Sequence, residues 1–144
     1  MATKKSAYYS AALPCVLGAY CADATEDVYL ALKDFGEKIG VAFQIQDDLL
    51  NLIETEESKN VKDFRNDITE GKRTLIVCKA LEQANDNRKE LINILQSNTS
   101  DEAKLTRAVE IMQNCGAIDY AKDKAQRLSN DAKKILEDIL PSSN

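Results

Sequence analysis

The sequence predicts an all-α protein on three observations. Apolar residues recur at intervals of three and four almost throughout, β-branched alternating runs are missing, and the prolines are confined to Pro14 and Pro141. The 144 residues suit one domain with a real core, so residues 1–144 are read as a single helical domain, and no internal repeat divides them.

The first segment runs from Thr3 to Cys21 with a kink expected at Pro14, whose ring and missing N–H disrupt a helix interior. Asp23-Ala24-Thr25 offers a cap for the second and longest segment, Thr25 to Glu54. A polar stretch of mixed charge from Thr55 to Lys72 breaks the periodicity, and Gly71 within it marks a turn. Further helices are expected over Lys72 to Ala84, Asn87 to Leu95, Asp101 to Asn114 behind a Ser100 cap, and Ala117 to Ile139 after Gly116. In the last of these, Ala121, Ala125, Leu128, Ala132, Leu136 and Ile139 form one apolar stripe suited to core packing. Pro141 and the residues after it read as a frayed tail.

Composition excludes several chemistries. The chain has no His, which removes Ser-His-Asp and Cys-His couples, an imidazole base and His-containing metal sites. A net charge of −5 leaves no surface for tracking phosphate backbones, so nucleic acid is not expected as a partner, and a cation is. Cys15, Cys21, Cys78 and Cys115 show no metal-binding or disulfide spacing and read as buried or indifferent thiols. No continuous apolar stretch is long enough for a signal or a membrane span, which predicts a cytoplasmic protein in which the Asn98-Thr99-Ser100 sequon is chance.

The chemistry is concentrated in the second segment. At about 100° per residue, Val28, Leu32, Phe35, Ile39, Ala42, Phe43, Leu49, Leu50 and Ile53 fall on one broad face, with Val41, Ile45 and Leu52 on its flank. What remains is a narrow line of Glu37, Gly40, Gln44, Asp47, Asp48 and Asn51. A helix apolar around most of its circumference should be largely buried, with its carboxylates facing an internal polar cavity. Two adjacent aspartates repel one another, so a positive group is expected beside them. Oxygen-only ligands favour a hard cation such as Mg²⁺, which keeps waters and shares phosphate oxygens. The alternative is a narrow solvated face on a peripheral helix. Lys62, Asp63, Arg65, Asp67, Glu70, Lys72 and Arg73 crowd the region that follows, where lysines could meet the outer oxygens of a diphosphate, or simply form a charged surface loop.

Four stretches, in order along the chain, resemble the trans-isoprenyl diphosphate synthases, the polyprenyl synthetase family that includes farnesyl and geranylgeranyl diphosphate synthases. Gly40-Val-Ala-Phe43-Gln44-Ile-Gln-Asp47-Asp48-Leu-Leu-Asn51 resembles the family's second aspartate-rich motif. Lys5-Ser6-Ala7 resembles its Lys-Thr/Ser-Ala element, and Lys62 with Asn66-Asp67-Ile68 and Glu70-Gly71-Lys72-Arg73-Thr74-Leu75 resembles its Glu-Gly-Lys stretch. Cys115-Gly116-Ala117-Ile118-Asp119-Tyr120 resembles the Gly-Ala-Ile that opens a late helix.

The resemblance implies the C-terminal helices of an isoprenoid-synthase-type bundle and a prenyltransferase that joins an allylic diphosphate head-to-tail to isopentenyl diphosphate. It implies Asp47, Asp48 and Gln44 as catalytic residues, with Mg²⁺ held by Asp47 and Asp48. Lys5, Ser6, Phe43, Gln44, Lys62 and Lys72 are the implied substrate-binding residues, Gln44 and the Ser6 hydroxyl lying beside the developing allylic cation. It also suggests a homodimer for the full-length protein.

The chain departs from the pattern twice. Asn51 occupies the third acidic place of the motif and is not assigned as a ligand. Nothing upstream of Lys5 supplies the family's first aspartate-rich motif, so the chain is read as the C-terminal part of a longer synthase, inactive alone. The second helix should then expose an apolar side, and the chain should self-associate. The competing reading is a non-catalytic helical subunit that docks on a complete synthase.

Overall fold

The computed structural model describes residues 3–53 and 65–139, and the side chains from Ala7 onward within the first of these spans. The expectations for Lys62 and for the tail after Pro141 lie outside the described residues. The described residues are helical and contain no strand.

A π-helix, Thr3–Ala12, leads into α1, Leu13–Cys21, and the all-α expectation holds along the chain: α2 is Glu26–Leu52, α3 Asn66–Thr69, α4 Leu75–Gln83, α5 Arg88–Gln96, α6 Glu102–Asn114 and α7 Ala117–Ile139. A 3₁₀ turn, Asn85–Asn87, precedes α5. The winding changes just before Pro14, at the start of α1, which runs on from the π-helix through a helical Ala12 (φ −67°, ψ −44°). Before it, the wider turn relieves the clash of the proline ring with the carbonyl four residues back.

Local chemistry sets the remaining boundaries. Thr74, not Lys72, starts α4: its hydroxyl accepts the Val77 N–H at 3.2 Å. Asp101, not Ser100, caps α6, its carboxylate accepting the Ala103 N–H at 3.0 Å. Gly116, at φ 76°, closes α6 in the left-handed conformation that glycine adopts without cost.

The helices fall into two compact units, Met1–Gln44 with Lys124–Asn144, and Ile45–Asp123. The first buries small residues. Ala7, Ala12, Ala19, Ala42 and Ala132 are buried there, while Tyr9, Tyr20 and Phe43 are 73%, 77% and 75% exposed. Its π-helix lies directly on the backbone of α2: a Cβ built on Gly40 would stand 2.8 Å from the Ala7 Cα, and one on Gly36 would stand 2.5 Å from the Ala12 Cα. Ala7 to Ala12 is about one turn of an i→i+5 helix and Gly36 to Gly40 about one turn of an α-helix, so the contact repeats turn for turn.

The second unit carries the large core side chains. Leu52, Ile68, Ile76, Leu91, Ile111 and Met112 are all but wholly buried, each contributing about 1.5–3 kcal/mol of burial. There α4, α5 and α6 pack on one another, with α3 against α5 and α6.

One expectation needs correction. The second helix is not largely buried: Ala42, Ile45, Asp48, Leu49 and Leu52 are, whereas Leu30, Phe43 and Leu50 are exposed. Periodicity gave one broad apolar face with Val41, Ile45 and Leu52 on its flank, and only part of that face, with Ile45 and Leu52 of the flank, is buried. The four cysteines are unpaired, Cys15 and Cys115 half-buried and Cys21 and Cys78 exposed.

Candidate functional site

The C-terminal half of α2 carries the motif residues. Consecutive residues point about 100° apart, and the two aspartates therefore have different surroundings: Asp47 is exposed and Asp48 is only 8% exposed. One turn earlier on the same helix Gln44 is half-buried and Phe43 exposed. No basic residue stands in the last turn of α2.

One turn beyond the aspartates, Asn51 ties α2 to α3 at two points. Its backbone carbonyl accepts the Arg65 N–H at 2.9 Å, and its side-chain Oδ1 accepts the Asp67 N–H at 3.2 Å. Arg65 enters α3 from the left-handed region, φ 60°, at a cost of about 1 kcal/mol or more for a residue with a Cβ. Its buried guanidinium is anchored on α6, where Nη1 donates to Thr106 Oγ1 at 2.8 Å and lies 3.4 Å from Glu102 Oε2.

Asp67 is buried, and its carboxylate receives the Lys72 ammonium at 2.7 Å, while Glu70 Oε2 lies 3.1 Å from the same nitrogen. The Asp67 backbone carbonyl also accepts the Lys72 N–H at 2.8 Å. The hydrogen bond to Asp67, then that to Glu70, hold Lys72 charged well above the ordinary lysine range. The ammonium stays about half exposed, its side chain at 53%. Gly71 makes this return possible: at φ 61°, with the Leu95 carbonyl oxygen 2.9 Å from a would-be Cβ, no other residue fits without strain.

Sequence reasoning thus named Lys72 but missed what holds it. Asn51 and Asp67 stood in the motif-like stretches without being recognised as what holds Lys72; the signal was the spacing of Asp67, Gly71 and Lys72 around one tight turn. Lys5 and Ser6 lie in the π-helix immediately before Ala7, with their side chains outside the described residues. Among the described residues no group of three Cys, Asp or Glu side chains is arranged to hold a metal. Two adjacent carboxylates, one of them exposed, nevertheless suit Mg²⁺, which takes one or two carboxylates and fills its octahedron with water and phosphate oxygens. No described helix is long and apolar enough to cross a membrane.

Helices of this order and an aspartate pair on the longest of them define the class of the all-α isoprenyl synthase fold, and comparison with known proteins agrees. Residues 1–112 match the polyprenyl synthetase family model. A short chain isoprenyl diphosphate synthase of Methanothermobacter thermautotrophicus is 41% identical over 125 residues, 84% of this chain and 38% of that protein. A geranylgeranyl pyrophosphate synthase of Geoglobus acetivorans is 38% identical over 94% of this chain and 40% of its own length. Among solved structures, the geranylgeranyl pyrophosphate synthetase of Pyrococcus horikoshii superposes with a TM-score of 0.86 at 30% identity, over 99% of this chain and 42% of that one. A geranylgeranyl pyrophosphate synthase of Corynebacterium glutamicum, solved with isoprenyl diphosphate and magnesium, gives 0.82 at 28% identity, over 96% of this chain and 40% of that one. The chain belongs to the polyprenyl synthetase family, and it spans about two fifths of the length of the curated relatives it matches.

Proposed function

We propose that this chain is the part of an isoprenyl diphosphate synthase that holds the allylic diphosphate, and that the whole protein joins that substrate to isopentenyl diphosphate. The observation that carries the reading is the scaffold at the end of α2: the helix that bears Asp47 and Asp48 is tied through Asn51 to Asp67, and Asp67 holds the half-exposed Lys72 ammonium. A carboxylate pair and a lysine, both implied contacts of one diphosphate, are thereby fixed to one hydrogen-bonded frame.

In this reading Asp47 would hold Mg²⁺, with Asp48 beside it as the second carboxylate. The metal would supply charge neutralisation of the departing diphosphate. Lys72, with Lys5 and Lys62, binds the outer oxygens of the diphosphate, where a fixed ammonium is worth more as negative charge builds during cleavage of the allylic carbon–oxygen bond. Gln44 and Ser6 face the cationic carbon, and Phe43 walls the apolar space that keeps water from it. The isopentenyl double bond then attacks the allylic carbon, and loss of a proton restores a double bond. Two carboxylates on one helix do not complete a metal cluster, so the 144 residues alone are inactive and the remaining ligands come from elsewhere in a longer chain.

The test is prenyl transfer by the whole product of the gene, assayed with labelled isopentenyl diphosphate and an allylic diphosphate. Asp47→Ala should lower kcat/KM by about 10²–10³, the effect of removing one electrostatic stabiliser of a transition state. Activity indifferent to Asp47→Ala and Lys72→Ala would instead favour a non-catalytic subunit that docks on another synthase.

A further inference from the structure

Asn51 stands in an acidic motif without being acidic, and the structure gives it work that needs no charge. Its two acceptors take two N–H groups from a segment fourteen and sixteen residues further on, those of Arg65 and Asp67. Such a pair fixes both the position and the rotation of the first turn of α3 relative to the end of α2. Asp67 repeats the device one step on: its backbone carbonyl takes the Lys72 N–H and its buried carboxylate takes the Lys72 ammonium. A lysine side chain has four rotatable carbons and a large rotamer freedom, so an ammonium that is to meet an anion at a set place benefits from being held beforehand. The carboxylate that holds it is itself aimed by the turn whose amide Asn51 grips.

We infer that Asn51 is a positioning residue for Lys72, acting through the Asp67 turn, and is not a metal ligand. The inference rests on the reading of Lys72 as a diphosphate contact. What position 51 requires is a hydrogen-bond acceptor one turn past the aspartate pair. A carboxylate meets that requirement as an amide does, whereas an apolar residue of the same size does not.

Two readouts on the 144-residue chain separate the clamp from its use. Amide hydrogen exchange at Asp67 and Lys72 reads the clamp with no ligand present. Asn51→Leu should raise exchange at both amides by about tenfold or more, and Asn51→Asp should leave them protected. Affinity for inorganic pyrophosphate with Mg²⁺, measured by calorimetry, reads the use. Asn51→Leu should weaken it by about tenfold, Asn51→Asp by no more than about threefold, and Asn51→Leu should add nothing in a Lys72→Ala background. An Asn51 that merely stabilised the fold would weaken binding equally in both backgrounds.

Unchanged exchange at Asp67 and Lys72 in Asn51→Leu overturns the inference, as does an equal loss of affinity with and without Lys72. A wild-type chain that fails to bind pyrophosphate, while exchange responds as stated, overturns the reading of Lys72 as a diphosphate contact and leaves the clamp standing. Far-ultraviolet circular dichroism identifies a variant that has not folded, and in that event Asn51→Ser, which keeps a shorter acceptor, replaces Asn51→Leu and is expected to give an intermediate loss of protection; full protection in it counts against the inference.

Discussion

Gly36→Ala and Gly18→Ala are the same chemical change on two helices, and the structure gives them opposite signs. Gly36 is buried, and a Cβ there would stand 2.5 Å from the Ala12 Cα, 2.9 Å from its nitrogen and 3.0 Å from the Ala11 carbonyl oxygen. All three are backbone atoms, so no rotamer change relieves the clash. The π-helix must retreat by about 0.9 Å to restore ordinary contact, which separates a close-packed interface along its length. Overpacking of this kind costs about 1–3 kcal/mol. Against a backbone obstacle the upper part of that range applies, offset by about 1 kcal/mol of helix propensity gained by replacing glycine with alanine. Gly36→Ala should therefore destabilise by about 1–2 kcal/mol and lower Tm by about 2–8 °C. Gly18 has nothing within 4 Å of its would-be Cβ and lies exposed in α1. There the propensity gain stands alone, and Gly18→Ala should raise stability by about 0.4–1 kcal/mol. Thermal unfolding followed by circular dichroism measures both. If Gly36→Ala stabilises as Gly18→Ala does, the π-helix is not seated on α2 at this position and the placement of Lys5 and Ser6 that depends on it is wrong.

Other consequences can be checked as directly. Phe43, Tyr9 and Tyr20 are each more than 70% exposed in the unit whose core is mostly alanine, so the 144-residue chain should self-associate with rising concentration in sedimentation velocity, and Phe43→Ser should weaken that association; a monodisperse monomer that binds no hydrophobic dye would refute it. Glu90 is held below the ordinary carboxylate range chiefly by its hydrogen bond from Arg107, which outweighs an opposing loss of hydration, and the Arg107 charge adds a lesser contribution in the same direction. A depressed folded pKa means the pair's contribution is complete above the ordinary glutamate value and is lost as pH falls through the lower one. The stability difference between wild type and Glu90→Gln should thus be present at neutral pH and vanish on acidification. Lys72 has the reverse sign: the contribution of its pairs with Asp67 and Glu70 is complete below the ordinary lysine value and lost only as pH rises through the higher folded one.

Much of this architecture was legible because it is written in periodic residues. The bounds of α7, Ala117–Ile139, follow from Gly116 before it and an apolar stripe of six residues along it. Boundaries failed where two capping residues stood side by side, as at Ser100 and Asp101, or where a cap lay inside a charged run, as at Thr74. The four residues of α3 are too few to show a period, and they start from a left-handed arginine that no propensity favours. On α2 the wheel grouped Phe43 and Leu50 with the residues that turn inward, because periodicity measures how apolar a face is and not which face a neighbour covers. It also set Asp47 and Asp48 on one line, where the structure separates an exposed carboxylate from a buried one. The roles of Asn51 and Asp67 were hidden for a different reason: Asn51 grips backbone amides fourteen and sixteen residues further on, a pairing that leaves no local pattern, and the return of Lys72 to Asp67 shows only in the spacing around Gly71.

The central claim is that Asp47 and Lys72 serve one diphosphate. Binding of a non-reactive allylic thiodiphosphate to the 144-residue chain, measured by calorimetry with and without Mg²⁺, tests it most directly. The account predicts binding that requires Mg²⁺ and weakens by about 10- to 100-fold in Asp47→Ala and in Lys72→Ala, the loss expected when a charge-assisted contact is removed. Binding that ignores Mg²⁺, or that survives both substitutions unchanged, would contradict it.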